Sequence, residues 1–148
     1  TRAYEAAQPA YEELYKEMKW NFRYLFEYGH ILSKRKEYNK SISILLEAET
    51  KSNDPMILNV IGKDFQEMKL YDKAEEYFKR SVNRLPSRIY PYYLLTKLYA
   101  ETGYCYPEKL KEYAKIVITK TPKIPSPAVE DMKKEIGQLL KTRKITLE

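Results

Sequence analysis

Residues with the chemistry of catalysis are few and scattered in this sequence. The single histidine, His30, has no neighbours that would complete a catalytic triad or a metal-ligand set. The single cysteine, Cys105, has no basic residue beside it that would stabilise a thiolate. The glycines are isolated and form no phosphate-binding loop; they are Gly29, Gly62, Gly103 and Gly137. The sequence therefore predicts no catalytic residue, no cofactor and no metal ion.

Two pairs of adjacent acids are the remaining candidates for acid–base chemistry. Glu12 and Glu13 form the first pair, and Glu75 and Glu76 form the second. Neighbouring residues of a helix point to different faces. We therefore expect solvated charges in both pairs. An enzyme that depends on His30 remains the competing class of function.

A repeated spacing predicts the elements that would position any functional residue. Between Pro55 and Pro86, apolar and small residues occupy fixed positions, which are Leu58, Ile61, Gly62, Phe65, Ala74, Phe78 and Ser81. This spacing resembles the tetratricopeptide repeat (TPR), a helix–turn–helix unit of about 34 residues. Matching residues recur 33 positions earlier, at Leu25, Tyr28, Gly29, Leu32, Ser41, Leu45 and Ala48. Such a repeat predicts stacked helix pairs rather than a sheet.

The predicted fold is one all-α domain over 1–148. It is a TPR-like helical solenoid, in which antiparallel helix pairs form a right-handed superhelix. A partial leading repeat helix covers 1–20, full repeats cover 22–54, 55–88 and 89–122, and a C-terminal capping helix covers 127–142. Beyond 140 we expect a frayed tail.

Capping and turn residues predict several helix ends. Asp54 precedes Pro55, and Ser126 precedes Pro127, so both are N-cap candidates. Gly103 is predicted to end the first helix of the third repeat. The turn that follows, 104–107, carries two extra residues.

The leading helix has its own predicted start and apolar stripe. Pro9 is expected in its first turn, where proline is tolerated. Its apolar stripe is formed by Tyr11, Leu14, Tyr15 and Met18.

The TPR resemblance also implies where a ligand would bind. In TPR stacks the first helix of each repeat lines a concave groove. Positions 5 and 9 of the repeat point into this groove, where Pro55 is position 1 of the central repeat. Here these positions hold Phe26, His30, Asn59, Lys63, Tyr93 and Lys97. Aromatic rings offer contact area, Asn bonds to amides and Lys attracts carboxylates, so we expect a protein or extended peptide partner, with acidic sequences favoured. The alternative is that these six are ordinary solvated residues. The set also differs from the carboxylate clamp of chaperone-binding TPR proteins, so chaperone binding is not implied.

The net charge of +6 comes from 27 basic and 21 acidic residues that are mixed along the chain. This mixture is typical of a soluble surface. An RNA-binding helical repeat would require a continuous basic face, so no nucleic-acid partner is predicted. No segment is apolar enough for a membrane span.

Self-association through the N-terminal helix remains an alternative to a monomeric adaptor.

Two segments carry a more specific resemblance. LPSRIYPYYLLTKLYAETG, at Leu85–Gly103, and PKIPSPAVEDMKKEIGQLL, at Pro122–Leu140, resemble the C-terminal tail of O-antigen ligase-related (polymerase-like) membrane proteins. The resemblance implies a non-catalytic interaction scaffold, the soluble accessory tail of an envelope polysaccharide-assembly protein. Such a tail would be attached to the bacterial inner membrane, on a side that the sequence leaves open. The family's membrane-embedded catalytic region has no counterpart in this sequence, so no ligase activity is implied.

Overall fold

The structure is a computed structural model that describes residues 2–147. Over this range the chain is helical, without strands, as the sequence predicts. The helices are α1 (Arg2–Met18), α2 (Phe22–Lys34), α3 (Tyr38–Glu49), α4 (Pro55–Glu67), α5 (Tyr71–Arg84), α6 (Tyr90–Tyr99), α7 (Pro107–Thr119) and α8 (Pro127–Arg143), with a short 3-10 turn at Thr102–Tyr104. None of these described helices has both the length and the apolar character needed to cross a membrane.

Both predicted N-caps are confirmed. The side chain of Asp54 accepts a hydrogen bond of 3.0 Å from the backbone N–H of Met56. The Ser126 hydroxyl accepts one of 3.2 Å from the N–H of Val129. Each bond pairs a backbone donor that the helix itself leaves unpaired. These caps fix where α4 and α8 begin.

The prediction for Pro9 is wrong. Proline at this position lies inside α1, which begins at Arg2. Pro9 has no N–H to donate to the carbonyl of Glu5, but the helix continues because its first turns are rich in alanine, the strongest helix former. Of the predicted apolar stripe, Leu14 is 44% exposed, so it does not lie on the packed face.

The chain divides into two compact units, one ending at Ala74 and the other beginning at Glu75 within α5. In the first unit, α2 packs against α3, and α4 packs against both. Leu25 and Leu45 are fully buried there. A Cβ added to Gly29 would lie 2.5 Å from Leu45 Cδ2, so only glycine fits where α3 crosses α2.

Tyrosines join α1 to α2 in the first unit. The rings of Tyr11 and Tyr24 are stacked, with centroids 5.3 Å apart and planes 9° apart. Tyr28 lies 5.9 Å from Tyr24 and 6.4 Å from Tyr15. The Tyr24 hydroxyl donates to the backbone carbonyl of Tyr11. These aromatic residues therefore pack between helices.

In the second unit, α6 packs against α7, and α8 packs against both. The core of this packing is formed by Ile89, Ala114, Val117, Ile136 and Leu140. The Lys133 ammonium on α8 donates to the carbonyls of Val117, Ile118 and Lys120 at 3.0, 2.9 and 2.6 Å. Because these carbonyls end α7, Lys133 acts as a C-terminal cap.

The end of the chain is more ordered than predicted. α8 continues to Arg143, and Lys144 adopts a left-handed conformation. The N–H of Ile145 then donates to the carbonyl of Leu140 at 2.9 Å. Ile145 and Leu147 pack against the core, which explains why the predicted fraying is wrong.

The predicted stop at Gly103 is also wrong. α6 ends at Tyr99, and Gly103 lies in the 3-10 turn without a positive φ. The N–H of Tyr106 donates back to the carbonyl of Tyr99 at 3.2 Å, so the enlarged turn closes on the end of the helix. The partition of the chain into three repeats stays a prediction.

Candidate functional site

On α2, a packed face and a partly exposed face lie side by side. Leu25 and Leu32 are fully buried, whereas Phe26 and His30 are half-buried. The helical period of 3.6 residues separates the two faces. Phe26 stacks on Phe22, with centroids 6.2 Å apart. Both predicted α2 residues therefore lie on the partly exposed face of the helix.

His30 lies close to the positive charges of two lysines. Its ring meets the edge of the Tyr4 ring, with centroids 5.8 Å apart. Burial, followed by the charges of Lys34 and Lys63, lowers the pKa of His30. This environment therefore favours the uncharged form of the ring. Among residues 2–147, no group of His, Cys, Asp and Glu side chains is arranged to hold a metal ion.

The two predicted residues of α4 lie in different environments. Lys63 is exposed, but Asn59 is only 4% exposed. The Asn59 amide donates to the sulfur of Met56 at 3.8 Å, and its buried oxygen has no hydrogen-bond partner within the described chain. Burial of Asn59 limits what it could offer to a peptide.

A buried carboxylate on α4 was not predicted from the sequence. Asp64 is 1% exposed. It accepts hydrogen bonds from the hydroxyls of Ser33 on α2, at 2.5 Å, and Ser41 on α3, at 2.6 Å. Ser41 Oγ also lies 2.9 Å from the carbonyl of Gly29. Asp64 therefore connects three helices of the first unit.

Burial raises the pKa of Asp64 to about 6, although the hydrogen bonds from Ser33 and Ser41 oppose this shift. Ser41 has one hydroxyl proton for two acceptors, the Gly29 carbonyl and Asp64. When Asp64 is protonated it can donate to Ser41, which frees the Ser41 proton for Gly29. The sequence carried a signal for this burial, because the 33-residue spacing aligns Asp64 with an apolar residue, Ile31. Ile31 is itself buried.

In the second unit, two predicted residues on α6 share one bound carboxylate. The Tyr93 hydroxyl donates to Glu135 Oε1 on α8 at 2.7 Å. Lys97 Nζ lies 3.0 Å from Glu135 Oε2 and 3.3 Å from the Tyr93 hydroxyl. Tyr93 and Lys97 are one helical turn apart, so both reach the same group. The sequence did not predict this partner for them.

The electrostatics agree with this geometry. Burial would raise the pKa of Glu135, but the hydrogen bonds from Tyr93 and Lys97 hold it below its usual value. Burial would lower the pKa of Lys97, but Glu135 and Tyr93 raise it. The pair therefore stabilises a negative carboxylate.

Glu75 is not the solvated acid that was expected. Its side chain is 14% exposed and lies 3.4 Å from Lys109 Nζ and 3.3 Å from Lys79 Nζ. It accepts hydrogen bonds from the hydroxyls of Tyr99 and, at 2.6 Å, Tyr104. Burial would raise the pKa of Glu75, but these tyrosines and Lys79 lower it to about 2. The acid is therefore part of the packing of α5, α6 and α7.

Aromatic rings complete this cluster. Lys109 Nζ lies 5.5 Å from the ring centroid of Tyr99 and 5.0 Å from that of Tyr106. Tyr104 and Tyr106 meet edge to face at 4.8 Å. Both of these rings come from the enlarged turn, so its extra residues supply the contacts that hold Lys109.

Cys105 has a basic neighbour that sequence proximity did not reveal. Arg143 Nη1 lies 3.8 Å from Cys105 Sγ, and its Nη2 donates to the carbonyl of Ala100 at 2.6 Å. Arg143 therefore joins the end of α8 to the turn after α6.

Comparison with known sequences gave no family. No known family profile matches the chain. No curated protein sequence matches it at a significant level.

Comparison with solved structures gave TPR-like helical proteins. A crystal structure of MamA has a TM-score of 0.71 and 17% identity, and the match covers 96% of this chain and 80% of that one. MamA 41-end from Desulfovibrio magneticus RS-1 has a TM-score of 0.64 and 14% identity, covering 95% and 68%. A CopN-Scc3 complex has a TM-score of 0.69 and 16% identity, covering 87% and 74%. At such low identity these matches show the fold alone, which is TPR-like as predicted.

Proposed function

We propose that this chain is a non-catalytic protein-interaction scaffold that binds an extended peptide. One observation carries this proposal. Helices α2 and α6 each bury an apolar stripe and leave an aromatic residue and an ionisable residue partly exposed one turn apart. These are Phe26 and His30 on α2, and Tyr93 and Lys97 on α6.

Such pairs suit peptide recognition. A partly exposed ring offers contact area at a small entropic cost, and the neighbouring polar group can bond to the peptide. The net charge of +6 favours acidic peptides. One of the similar structures is a complex, CopN-Scc3, which is consistent with a protein-binding role.

The test selects binding peptides from a displayed library on the wild-type chain and measures their affinity for three double variants. Phe26→Ala/His30→Ala changes the first unit, and Tyr93→Ala/Lys97→Ala changes the second. Leu46→Ala/Lys115→Ala changes exposed residues on α3 and α7 and serves as the control.

We expect at least one of the first two variants to lose about tenfold or more in affinity, since such contacts carry over 1 kcal/mol each at binding hot spots. Helix content by circular dichroism should be unchanged, and the control should bind as the wild type does. Equal affinity for all the variants would reject the proposed faces.

We further propose that this scaffold is the accessory tail of an O-antigen ligase-like polysaccharide-assembly protein at the bacterial inner membrane. Support comes from the sequence resemblance at Leu85–Gly103 and Pro122–Leu140. The test is the full reading frame. A run of hydrophobic membrane spans upstream would support the assignment, and a wholly polar upstream region would overturn it.

A further inference from the structure

Tyr93 and Lys97 form a site for a carboxylate that the chain itself occupies. The two oxygens of Glu135 are bound separately, one by the Tyr93 hydroxyl at 2.7 Å and the other by Lys97 Nζ at 3.0 Å. Lys97 also lies over the Tyr93 ring, 5.2 Å from its centroid. Because the lysine is held by the ring and by the hydroxyl, the site is partly organised before any carboxylate enters it.

The contact with Glu135 can be exchanged. The side chains of Lys97 and Glu135 are 46% and 49% exposed. Ion pairs that are exposed to this degree contribute little to stability, because water screens them and ordering the side chains costs entropy. A competing carboxylate therefore meets a small barrier.

Release of Glu135 does not require release of α8. Ile136 and Leu140 bury this helix in the core of the second unit, at 0% and 6% exposure. Lys133 holds its middle part to the end of α7, and Arg143 holds its last turn to Ala100. Rotation of one side chain is thus sufficient to open the site.

We propose that Tyr93 and Lys97 bind an Asp or Glu side chain of an acidic partner peptide, and that Glu135 is an internal competitor which the partner displaces. This inference rests on the proposed peptide-binding function and adds the chemistry of one contact and its regulation. Glu135 lowers the apparent affinity, so only a peptide that gains further contacts binds well. Glu135 also competes with any free carboxylate that gains no further contacts with the chain.

The test uses a fluorescein-labelled hexaglutamate peptide with blocked ends and measures binding by anisotropy at low salt. Glu135→Gln removes the competing charge but keeps the size of the side chain. Asp131→Asn, an exposed acid of the same helix, makes the same change in net charge and is the control.

We expect Glu135→Gln to bind about three- to fivefold more tightly than the wild type, as expected from release of an exposed ion pair. Asp131→Asn should gain much less. Adding Lys97→Gln to Glu135→Gln should remove the gain. Glu135→Ala should behave like Glu135→Gln, with unchanged helix content.

The outcomes separate this inference from the proposed function. Binding that depends on Lys97, with no gain in Glu135→Gln beyond that of Asp131→Asn, would overturn the competitor role and leave the peptide-binding function intact. Hexaglutamate binding whose affinity is unchanged by Lys97→Gln, or no binding at all, would overturn the carboxylate site. Only failure of the library selection would overturn the interaction function.

Discussion

Asp64 is a polar residue at a repeat position where two other helices bury apolar ones. Its counterpart in α2 is Ile31, at 6% exposure, and its counterpart in α6 is Leu98, at 0%. A buried acid is tolerated here because Ser33 and Ser41 satisfy its oxygens. Hydrophobic packing at this position is thus replaced by a network whose strength depends on one proton.

The first prediction concerns pH. Asp64 has a pKa of about 6 in the folded chain, against an ordinary value of 3.8 for this side chain. The folded state therefore binds more protons between these values. Protonation of Asp64 therefore stabilises the folded state. This contribution is fully present below about pH 4 and is lost as the pH rises through about 6. Asp64→Asn keeps the shape without the charge, so its stability relative to wild type should rise across this window by about 2 kcal/mol.

Urea unfolding of both proteins between about pH 3 and pH 7 measures this difference, because this range encloses the window set by the two pKa values. Asp131→Asn, at an exposed acid, should differ from wild type by a nearly constant amount. A constant difference for Asp64→Asn as well would show that Asp64 does not titrate in this range.

At the scale of elements, helices α2 and α4 end in the same unusual way. Lys36 and Lys69, which lie 33 positions apart, both have positive φ, at 63° and 62°. In each case the following N–H donates to the helix at 2.9 Å, from Glu37 to Leu32 and from Leu70 to Phe65. This closing bond requires a left-handed residue, and glycine adopts that conformation without strain.

The second prediction follows from these ends. Lys36→Gly and Lys69→Gly should each raise the free energy of unfolding by about 1 kcal/mol, because the left-handed conformation costs a lysine about 1–2 kcal/mol and glycine's greater freedom when unfolded cancels part of the gain. Lys115→Gly, in the middle of α7, should lower it by about 1 kcal/mol. Chemical denaturation of the three variants checks these signs. A loss of stability in Lys69→Gly would mean that the lysine side chain contributes more than the backbone strain costs.

Local signals explain which elements could be predicted. The caps at Asp54 and Ser126 and the helical stripes depend on residues close in sequence, so they were found. Pro9 and Gly103 were misplaced because proline is tolerated inside an alanine-rich helix and a glycine need not adopt a positive φ. Local rules describe preferences that the surrounding chain can override.

Most of the polar contacts could not be predicted for a different reason. Glu75 meets Tyr99 and Tyr104, and Tyr93 meets Glu135, across 24 to 42 residues of sequence. Such pairs depend on how helices pack, which periodicity alone does not give. The predicted groove residues were on partly exposed faces except for Asn59, whose burial the repeat spacing did not indicate.

At the scale of the whole molecule, exposed apolar residues bear on self-association. The large exposed ones in the described chain are Leu14, Trp20, Leu46, Leu70, Tyr106 and Ile124. They lie on different helices or in different connections. Single exposed apolar side chains are common on monomers, whereas a dimer needs a contiguous patch. The net charge of +6 adds repulsion between copies.

The last prediction is therefore that the chain is a monomer. Sedimentation equilibrium at a low and a high protein concentration should give the monomer mass in both cases. Raising the salt concentration screens the charge repulsion between copies, and the measured mass should still be that of the monomer. A mass that rises with concentration would favour the oligomerisation alternative. If Leu14→Glu then restored the monomer while Leu46→Glu did not, the N-terminal helix would be the interface, because the two substitutions add the same charge at residues that are 44% and 40% exposed.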